Sequence, residues 1–167
     1  VLHFVSDRCG WWNLHRLDAS GAAVNVCPRP AEFGRPQWKL GMSTYAFLST
    51  KEVVCSYIEG GLGKLAFLDL ESGALRPFDL PFTDFASVRA QDGKVAFVAG
   101  TAVGSSAIVL LDPRTAAARR WMTAFAYRWS LWSVRRSVLS VWRRLSSSTG
   151  RSAAPRCELT LAPFSHL

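Results

Sequence analysis

The segment Phe4–Asp18 reads Phe-Val-Ser-Asp-Arg-Cys-Gly-Trp-Trp-Asn-Leu-His-Arg-Leu-Asp, which is the pattern of a complete β-hairpin. A first strand ends at Val5, a turn that contains Asp7 and Gly10 reverses the chain, and a second strand covers Trp11–Leu17. Glycine supplies the positive φ that such a turn commonly needs, and aspartate can hydrogen-bond its own backbone. The large aromatic residues after the turn suit a pleated, half-buried surface. The segment therefore predicts strands.

The end of this hairpin recurs twice further along the chain. Asp18, Asp69 and Asp112 each follow a short apolar strand and begin a polar turn, and they are separated by 51 and 43 positions. A four-stranded propeller blade occupies about 40–50 residues. The spacing therefore predicts three tandem blades. At equivalent turn positions the aspartates are expected to cap their own turns, without any catalytic role.

The three copies differ in how complete they are. The middle copy has four predicted strands: Tyr45–Leu48, Val53–Tyr57, Lys64–Leu70 and Leu75–Asp79. The third copy has three, with no fourth strand expected: Phe85–Arg89, Val95–Val98 and Ala107–Leu111. The first copy is expected to lack its opening strand, because the chain begins within the second strand. The predicted fold class is all-β, a partial β-propeller of about two and a half blades at residues 1–112.

Charge divides the chain at the end of this pattern. Residues 1–112 hold six arginines and four lysines against eleven acidic residues, whereas residues 113–167 hold ten arginines and one acidic residue. The formal charge of +8 therefore resides in the tail. So abrupt a change predicts a boundary near residues 113–120 and a separate basic, Arg/Ser/Trp-rich tail at 113–167.

Several interpretations of the tail remain open. A shifted reading frame or a mis-joined exon would explain why the strand pattern stops. Alternatively, an apolar stripe at helical spacing predicts a basic amphipathic helix at about 122–146, formed by Leu131, Val134, Val138, Val141 and Leu145. Such a helix could lie on an anionic membrane surface, or it could pack on the exposed edge of the incomplete propeller. Nucleic-acid binding is disfavoured because no base-reading motif accompanies the arginines. A transmembrane span is not expected, because the sequence has no uncharged apolar stretch of about 18 residues.

Strings that resemble catalytic motifs fail part of their requirement. In Gly41-Met42-Ser43-Thr44-Tyr45 the fifth position of a nucleophile elbow is tyrosine, so Ser43 is interpreted as a turn serine. The glycines of Gly60–Lys64 are followed by Leu65 and a strand, which favours a hairpin turn over a phosphate-binding loop. His3 and His15 have no carboxylate or nucleophile in register and are interpreted as packed or solvated.

The four cysteines, Cys9, Cys27, Cys55 and Cys157, show no spacing typical of a metal site, and no cofactor is expected. Cys55 lies within an apolar strand and is expected to be a core residue. Free thiols favour a cytoplasmic location.

Six segments together resemble the propeller of prolyl oligopeptidase family serine peptidases, especially the acylaminoacyl peptidase and dipeptidyl peptidase-like branch. These segments are, in chain order, Phe4–Arg8, Gly10–Leu14, Glu32–Gly34, Pro36–Trp38, Ser43–Phe47 and Leu80–Asp84. The resemblance covers residues 1–112 and implies a propeller that caps an α/β-hydrolase domain and restricts access to peptide substrates. The Ser, Asp and His of the hydrolase domain match nothing in this chain.

The resemblance thus implies a non-catalytic, substrate-gating portion of such an enzyme, with the hydrolase domain and the enzyme's peptide substrates as partners. A TolB-like propeller that binds proteins and is unrelated to peptidases is the alternative. Incomplete blades would leave apolar faces uncovered, so self-association is expected.

Three tryptophans have two possible roles. Trp11, Trp12 and Trp38 are large enough to fill the gap between blades, and packing is the simpler interpretation. In the predicted strand, Trp11 and Trp12 would point to opposite faces of the sheet. The functional alternative places Arg8, Trp11 and Trp12 at the pore or at the interface with the hydrolase domain.

Overall fold

Three antiparallel sheets, which we call blades 1, 2 and 3, follow one another along the chain in a computed structural model that describes residues 1–38 and 40–123. Blade 1 has three strands: β1 (His3–Ser6), β2 (Asn13–Leu17) and β3 (Ala23–Asn25). Blade 2 has four: β4 (Tyr45–Phe47), β5 (Glu52–Glu59), β6 (Leu62–Asp69) and β7 (Leu75–Pro77). Blade 3 also has four: β8 (Asp84–Gln91), β9 (Lys94–Thr101), β10 (Gly104–Asp112) and β11 (Ala117–Thr123).

Within each blade every strand pairs with the strand before it, so each sheet is an up-and-down meander. This is the all-β partial propeller that the repeat spacing predicted. All the strands predicted for blade 2 are present, and blade 1 lacks one strand relative to blade 2, as expected. Among the described residues there is no helix that could span a membrane.

Two details of the predicted strands are wrong. Blade 3 has a fourth strand, because β11 pairs with β10 from Asp112↔Ala117 to Ala107↔Thr123. The strand was missed because its sequence, Ala-Ala-Arg-Arg-Trp-Met-Thr, lacks a hydrophobic alternation, and backbone pairing on the edge of a sheet does not require one.

The predicted helix at about 122–146 lies outside the described residues except for its first two positions, which belong to β11.

The second correction concerns the tryptophans. Trp11 and Trp12 precede β2 and belong to the β1–β2 connection, so they do not alternate across a sheet. Trp11 is 43% exposed and Trp38 is 87% exposed, which makes the packing interpretation wrong for both. Trp12 is half-buried.

The blades are held together by two apolar clusters, one on each face of blade 2. Val53, Cys55 and Tyr57 of β5 pack against blade 1, where Leu14 and Phe33 are buried. Val54, the residue between them, packs on the opposite side in a cluster with Phe85, Val88, Phe97 and Val109 of blade 3. Since successive side chains of a strand point to opposite faces, β5 contributes to both cores. Cys55 is 1% exposed, which confirms it as a core residue.

Polar bonds add ties between neighbouring blades. The Tyr45 hydroxyl of β4 donates to the His3 carbonyl of β1 at 3.0 Å. The Ser43 hydroxyl lies within 2.8 Å of the Tyr45 carbonyl and 2.9 Å of the Val88 carbonyl. Strand β8 therefore contacts both the sheet of blade 2 and the linker that precedes it.

The three repeated aspartates cap their turns, as predicted. The Asp18 carboxylate accepts from the backbone N–H groups of Ser20 and Ala22, and the Asp69 carboxylate accepts from those of Glu71 and Ser72. The Asp112 carboxylate accepts from the Arg114 N–H at 3.0 Å. These bonds satisfy backbone groups that the reversing chain leaves without sheet partners.

Candidate functional site

The β1–β2, β5–β6 and β9–β10 connections lie at the same end of their blades, which we call the loop end. Each connection joins the second to the third strand of a four-stranded blade. In blade 1, which lacks the first strand of this pattern, those two strands are β1 and β2. The loop end contains all three residues that the sequence suggested for a domain interface or pore: Arg8, Trp11 and Trp12. Their role remains a prediction, but the structure shows what surrounds them.

Backbone hydrogen bonds run along the loop end from blade 1 to blade 3. The Phe33 N–H donates to the Trp12 carbonyl at 2.7 Å, and Glu32 and Ile58 exchange two bonds of 2.9 Å. Ile58 pairs with Gly63 in the sheet of blade 2. The row continues with the bonds from the Gly63 N–H to the Thr83 carbonyl and from the Thr83 N–H to the Gly100 carbonyl, both 3.0 Å. The loops of three blades are thus held in one fixed arrangement.

Trp12 is fixed by its backbone and by its ring. The backbone N–H of Trp12 donates to Glu32 Oε2 at 2.9 Å. A Cβ built on Gly34 would lie 2.3 Å from Trp12 Cε3 and 2.8 Å from Val5 Cγ1, so the indole packs directly on the backbone at Gly34. This packing makes Trp12 a structural residue of the loop end, whatever further contacts it makes.

Arg8 and Trp11 are presented to solvent by the same connection. The turn that carries them is closed by the Gly10 N–H, which donates to the Asp7 carbonyl at 2.7 Å, and Gly10 has a φ of 87°. The predicted turn is therefore confirmed. The Arg8 guanidinium lies 5.2 Å from the centroid of the Phe4 ring and its Nε donates to Ser6 Oγ at 3.2 Å. Arg8 thus lies against β1 while remaining exposed.

Five of the ten exposed large apolar side chains in the described part of the chain lie at this end. The β5–β6 and β9–β10 connections contribute Leu62, 56% exposed, and Val103, 98% exposed. The linker between blades 1 and 2 passes Arg35, which pairs with Asp84 at the start of β8, and then exposes Trp38 and Leu40. Together with Trp11 these residues form an apolar fringe: Trp11, Trp38, Leu40, Leu62 and Val103. Such a surface suits contact with another protein layer better than contact with water.

Asn13 is a residue of the loop end that the sequence analysis did not identify. It is 2% exposed, and its amide nitrogen donates to the carbonyls of Arg29 and Ala31 at 3.1 and 2.9 Å. Its Oδ1 accepts from the Arg29 N–H and from Asn25 Nδ2. Asn13 therefore holds the start of the linker against β2. These contacts cross 12 to 18 positions of sequence, so no local pattern could reveal them.

A charged cluster lies at the base of the β5–β6 connection. The Lys64 ammonium donates to Glu59 Oε2 at 2.7 Å, and Arg29 lies 3.5 Å from Glu59 Oε1. The hydrogen bond from Lys64 lowers the pKa of Glu59 and in turn raises the pKa of Lys64. Burial raises the pKa of the nearby Tyr57 hydroxyl, and the Glu59 charge adds to that effect. These shifts favour the charged forms of Glu59 and Lys64 and the neutral form of Tyr57.

The loop end has no group of side chains suited to metal binding within residues 1–38 and 40–123. No group of three His, Cys, Asp or Glu side chains there could hold a metal ion. A shallow depression is lined by Glu32, Gly34, Ser56, Tyr57, Gly63 and Phe85 among others. Ser43 uses its hydroxyl for the two carbonyls described above, and Gly60 and Gly61 form the β5–β6 turn with φ values of 59° and 80°. Both dismissed motifs are therefore structural.

Three solved structures share this architecture. A crystal structure of puromycin hydrolase, 33% identical, matches 75% of this chain with a TM-score of 0.67. A mutant of puromycin hydrolase complexed with PGG matches 77% at the same identity and TM-score. A puromycin-hydrolyzing peptidase of Mycobacterium tuberculosis, 25% identical, matches 76% with a TM-score of 0.68. Puromycin hydrolase is a peptidase of the prolyl oligopeptidase family.

Over about three quarters of its length, this chain is similar to the β-propeller of a prolyl oligopeptidase-family peptidase. The propeller segment spans 20% of the length of each of the three structures. No protein-family model matches its sequence, and no curated protein matches it. The similarity is therefore established by the comparison of three-dimensional structures.

Proposed function

We propose that the propeller segment is a non-catalytic, substrate-gating part of a prolyl oligopeptidase-like serine peptidase, and that its loop end faces the hydrolase domain. The observation that carries this proposal is the apolar fringe, five exposed apolar side chains at one end of blades whose facing sides pack in two apolar clusters. A second protein layer over this end would remove that surface from water, which is favourable at about 25 cal/mol per Å².

The charges of the loop end support the same orientation. Arg8 and the Arg29–Glu59–Lys64 cluster belong to the loop end as well, so charged groups accompany its exposed apolar side chains. Interfaces between domains of one chain have this composition and are often mobile. A mobile, specific contact is what a gate needs, because it must open for substrates and return to one closed position.

The isolated chain provides the first test. We expect it to release no chromophore from an acylated dipeptide anilide above the buffer rate, since triad chemistry needs a nucleophile, a base and an orienting acid in contact. Turnover that is abolished by a serine-directed inhibitor would overturn the proposal.

The gating role is tested in the full-length peptidase that carries this propeller. Trp11→Ala and Leu62→Ser shorten two members of the apolar fringe without touching the blade cores. We expect the ratio of kcat/KM for a long peptide to that for a tripeptide to rise by about tenfold, a change equivalent to roughly 1.4 kcal/mol of lost discrimination. Arg76→Ala is the matched control, because Arg76 is exposed on β7 and packs over Phe67, away from the loop end. Equal ratios in all variants would show that the loop end does not gate.

A further inference from the structure

A thiol and an imidazole meet on blade 1, beside the loop end. Cys9 Sγ lies 3.7 Å from His15 Nε2. Cys9 is exposed in the β1–β2 connection, whereas His15 of β2 is completely buried. From sequence, His15 was interpreted as packed or solvated, and it is packed; the sequence did not reveal that the turn at Asp7–Gly10 folds Cys9 back over the strand.

The hydrogen-bond partners of His15 determine which of its two ring nitrogens carries the proton. His15 Nδ1 lies 2.9 Å from the backbone carbonyl of Asn13. A carbonyl only accepts, so in the neutral ring Nδ1 carries the proton and Nε2 is left as an acceptor. The Cys9 S–H therefore donates to His15 Nε2. This is the arrangement in which an imidazole can take the proton of a nucleophile.

The ring is held in this position by its neighbours. Phe4 lies opposite His15 in the β1–β2 pairing and stacks on it with the centroids 5.7 Å apart and an interplanar angle of 21°. Arg8 lies near the Phe4 ring and adds a positive charge to the same surface. Cys9 is thus exposed and in contact with a base that is held in place, and access and a proton acceptor are what thiol–disulfide exchange requires.

The other described thiols are buried. Cys27 is 4% exposed and Cys55 is 1% exposed. Burial raises the pKa of both thiols, and the proximity of Cys27 adds to the effect on Cys55. They are expected to be inert while the chain is folded, and they provide an internal comparison for Cys9.

We propose that Cys9 is a modification site that undergoes thiol–disulfide exchange with small disulfides, with His15 as the proton acceptor. The S–H proton moves to Nε2 as the Cys9 sulfur attacks one sulfur of the disulfide. The disulfide bond breaks, and the departing thiolate takes the proton from the imidazolium. The products are a mixed disulfide at Cys9 and one small thiol, so Cys9 is oxidised and half of the small disulfide is reduced.

The test uses the full chain in a Cys157→Ser background, since Cys157 lies outside the described residues, with 5,5′-dithiobis(2-nitrobenzoate) as the probe at pH 7. We expect one fast equivalent of released chromophore, localised to Cys9 by peptide mapping and lost in Cys9→Ser. The folded chain should react at Cys9 about tenfold faster than the same chain unfolded in urea, because unfolding separates the thiol from its base.

His15→Asn isolates the role of the imidazole. Asparagine keeps a side-chain N–H near the position of Nδ1 but removes Nε2, so the fast reaction should fall to about the rate of the unfolded chain. His3→Asn is the matched control on β1 and should react like the parent chain. A folded His15→Asn variant that reacts at the parent rate would overturn the proposal. If His15→Asn does not fold, the parent chain decides the matter: equal Cys9 rates in its folded and unfolded forms would overturn it as well.

Discussion

Two tyrosines of the core between blades 1 and 2 differ in the hydrogen bonding of their hydroxyl groups. The Tyr45 hydroxyl donates to the His3 carbonyl across the blades, whereas the buried Tyr57 hydroxyl has no hydrogen-bond partner among the described residues. The Tyr57 ring still contributes, because it stacks on Phe33 with the centroids 5.2 Å apart. The hydroxyl groups can therefore be separated from the rings by substitution.

Tyr45→Phe is expected to lower the free energy of unfolding by about 1 kcal/mol, because it removes a hydrogen bond and leaves a carbonyl without its partner. Tyr57→Phe should leave that free energy unchanged or raise it, since it removes a buried polar group that gains nothing from the protein. Urea denaturation followed by circular dichroism measures both. A larger loss in Tyr57→Phe than in Tyr45→Phe would contradict the contacts described above.

Gly63 and Gly100 provide a second pair of positions at which two substitutions can be compared. A Cβ at Gly63 would lie 2.6 Å from the Thr83 carbonyl oxygen, which the sheet holds in place. Gly63→Ala is therefore expected to lower the free energy of unfolding by about 1–3 kcal/mol. At Gly100 a Cβ would lie 3.5 Å from Ser106 Oγ, which is an ordinary contact distance, so Gly100→Ala should change the free energy of unfolding far less. Equal melting temperatures for the two variants would show that the linker before β8 moves freely.

At the scale of an element, the aspartate turns connect the third and fourth strands of the blades. Hydrogen bonds from the Ser72 backbone and then the Ser72 hydroxyl lower the pKa of Asp69. The Ser20 hydroxyl has the leading effect in lowering the pKa of Asp18, and Lys94 has it for Asp112. One physical device, a carboxylate that accepts from its own turn, thus recurs in all three blades.

These turns make stability depend on acid. A carboxylate whose pKa is lower in the folded than in the unfolded chain stabilises the fold above its unfolded pKa of about 3.9, and that stabilisation is lost as the pH falls further. We expect Asp69→Asn, which keeps an acceptor but cannot titrate, to show a smaller fall in urea midpoint between pH 6 and pH 3 than the parent chain. Ser72→Ala removes only the hydroxyl donor and should give an intermediate fall. An unchanged pH profile in Asp69→Asn would contradict this account.

At the scale of the whole molecule, stability is divided between two interfaces that share β5. Val53 and Val54 are adjacent and fully buried, but the first belongs to the core with blade 1 and the second to the core with blade 3. Repeats that contact only their neighbours have stabilities that add interface by interface. Neighbouring substitutions should therefore have effects in different blades.

Val53→Ala and Val54→Ala are each expected to cost about 2 kcal/mol. Amide hydrogen exchange should show where the loss falls, because local opening reports the weakened interface. Val53→Ala should speed exchange in β1 and β2 more than in β9 and β10, and Val54→Ala should do the reverse. The same exchange pattern in both variants would show that the three blades open as one unit.

Local sequence was sufficient for most of the strands, for the turns and for their order. Runs of apolar residues in β5 and β6, glycines at Gly10 and Gly60–Gly61, and the recurring turn aspartates each depend on interactions within a few positions, so each could be predicted. The repeat spacing then predicted blades, because a unit with two apolar faces must stack on its neighbours. Edge strand β11 escaped prediction, since it is held by pairing with β10 rather than by a buried face of its own.

The tertiary structure alone decided which side chains meet across the loops. Asn13 reaches the linker at Arg29 and Ala31, Trp12 packs on Gly34, and Cys9 returns to His15. The physical reason is that a hairpin pattern determines backbone pairing, whereas the path of a loop depends on contacts with distant segments that pattern does not contain. From its sequence this protein was a stack of β-blades. Its three-dimensional fold made one end of that stack a rigid, partly apolar surface.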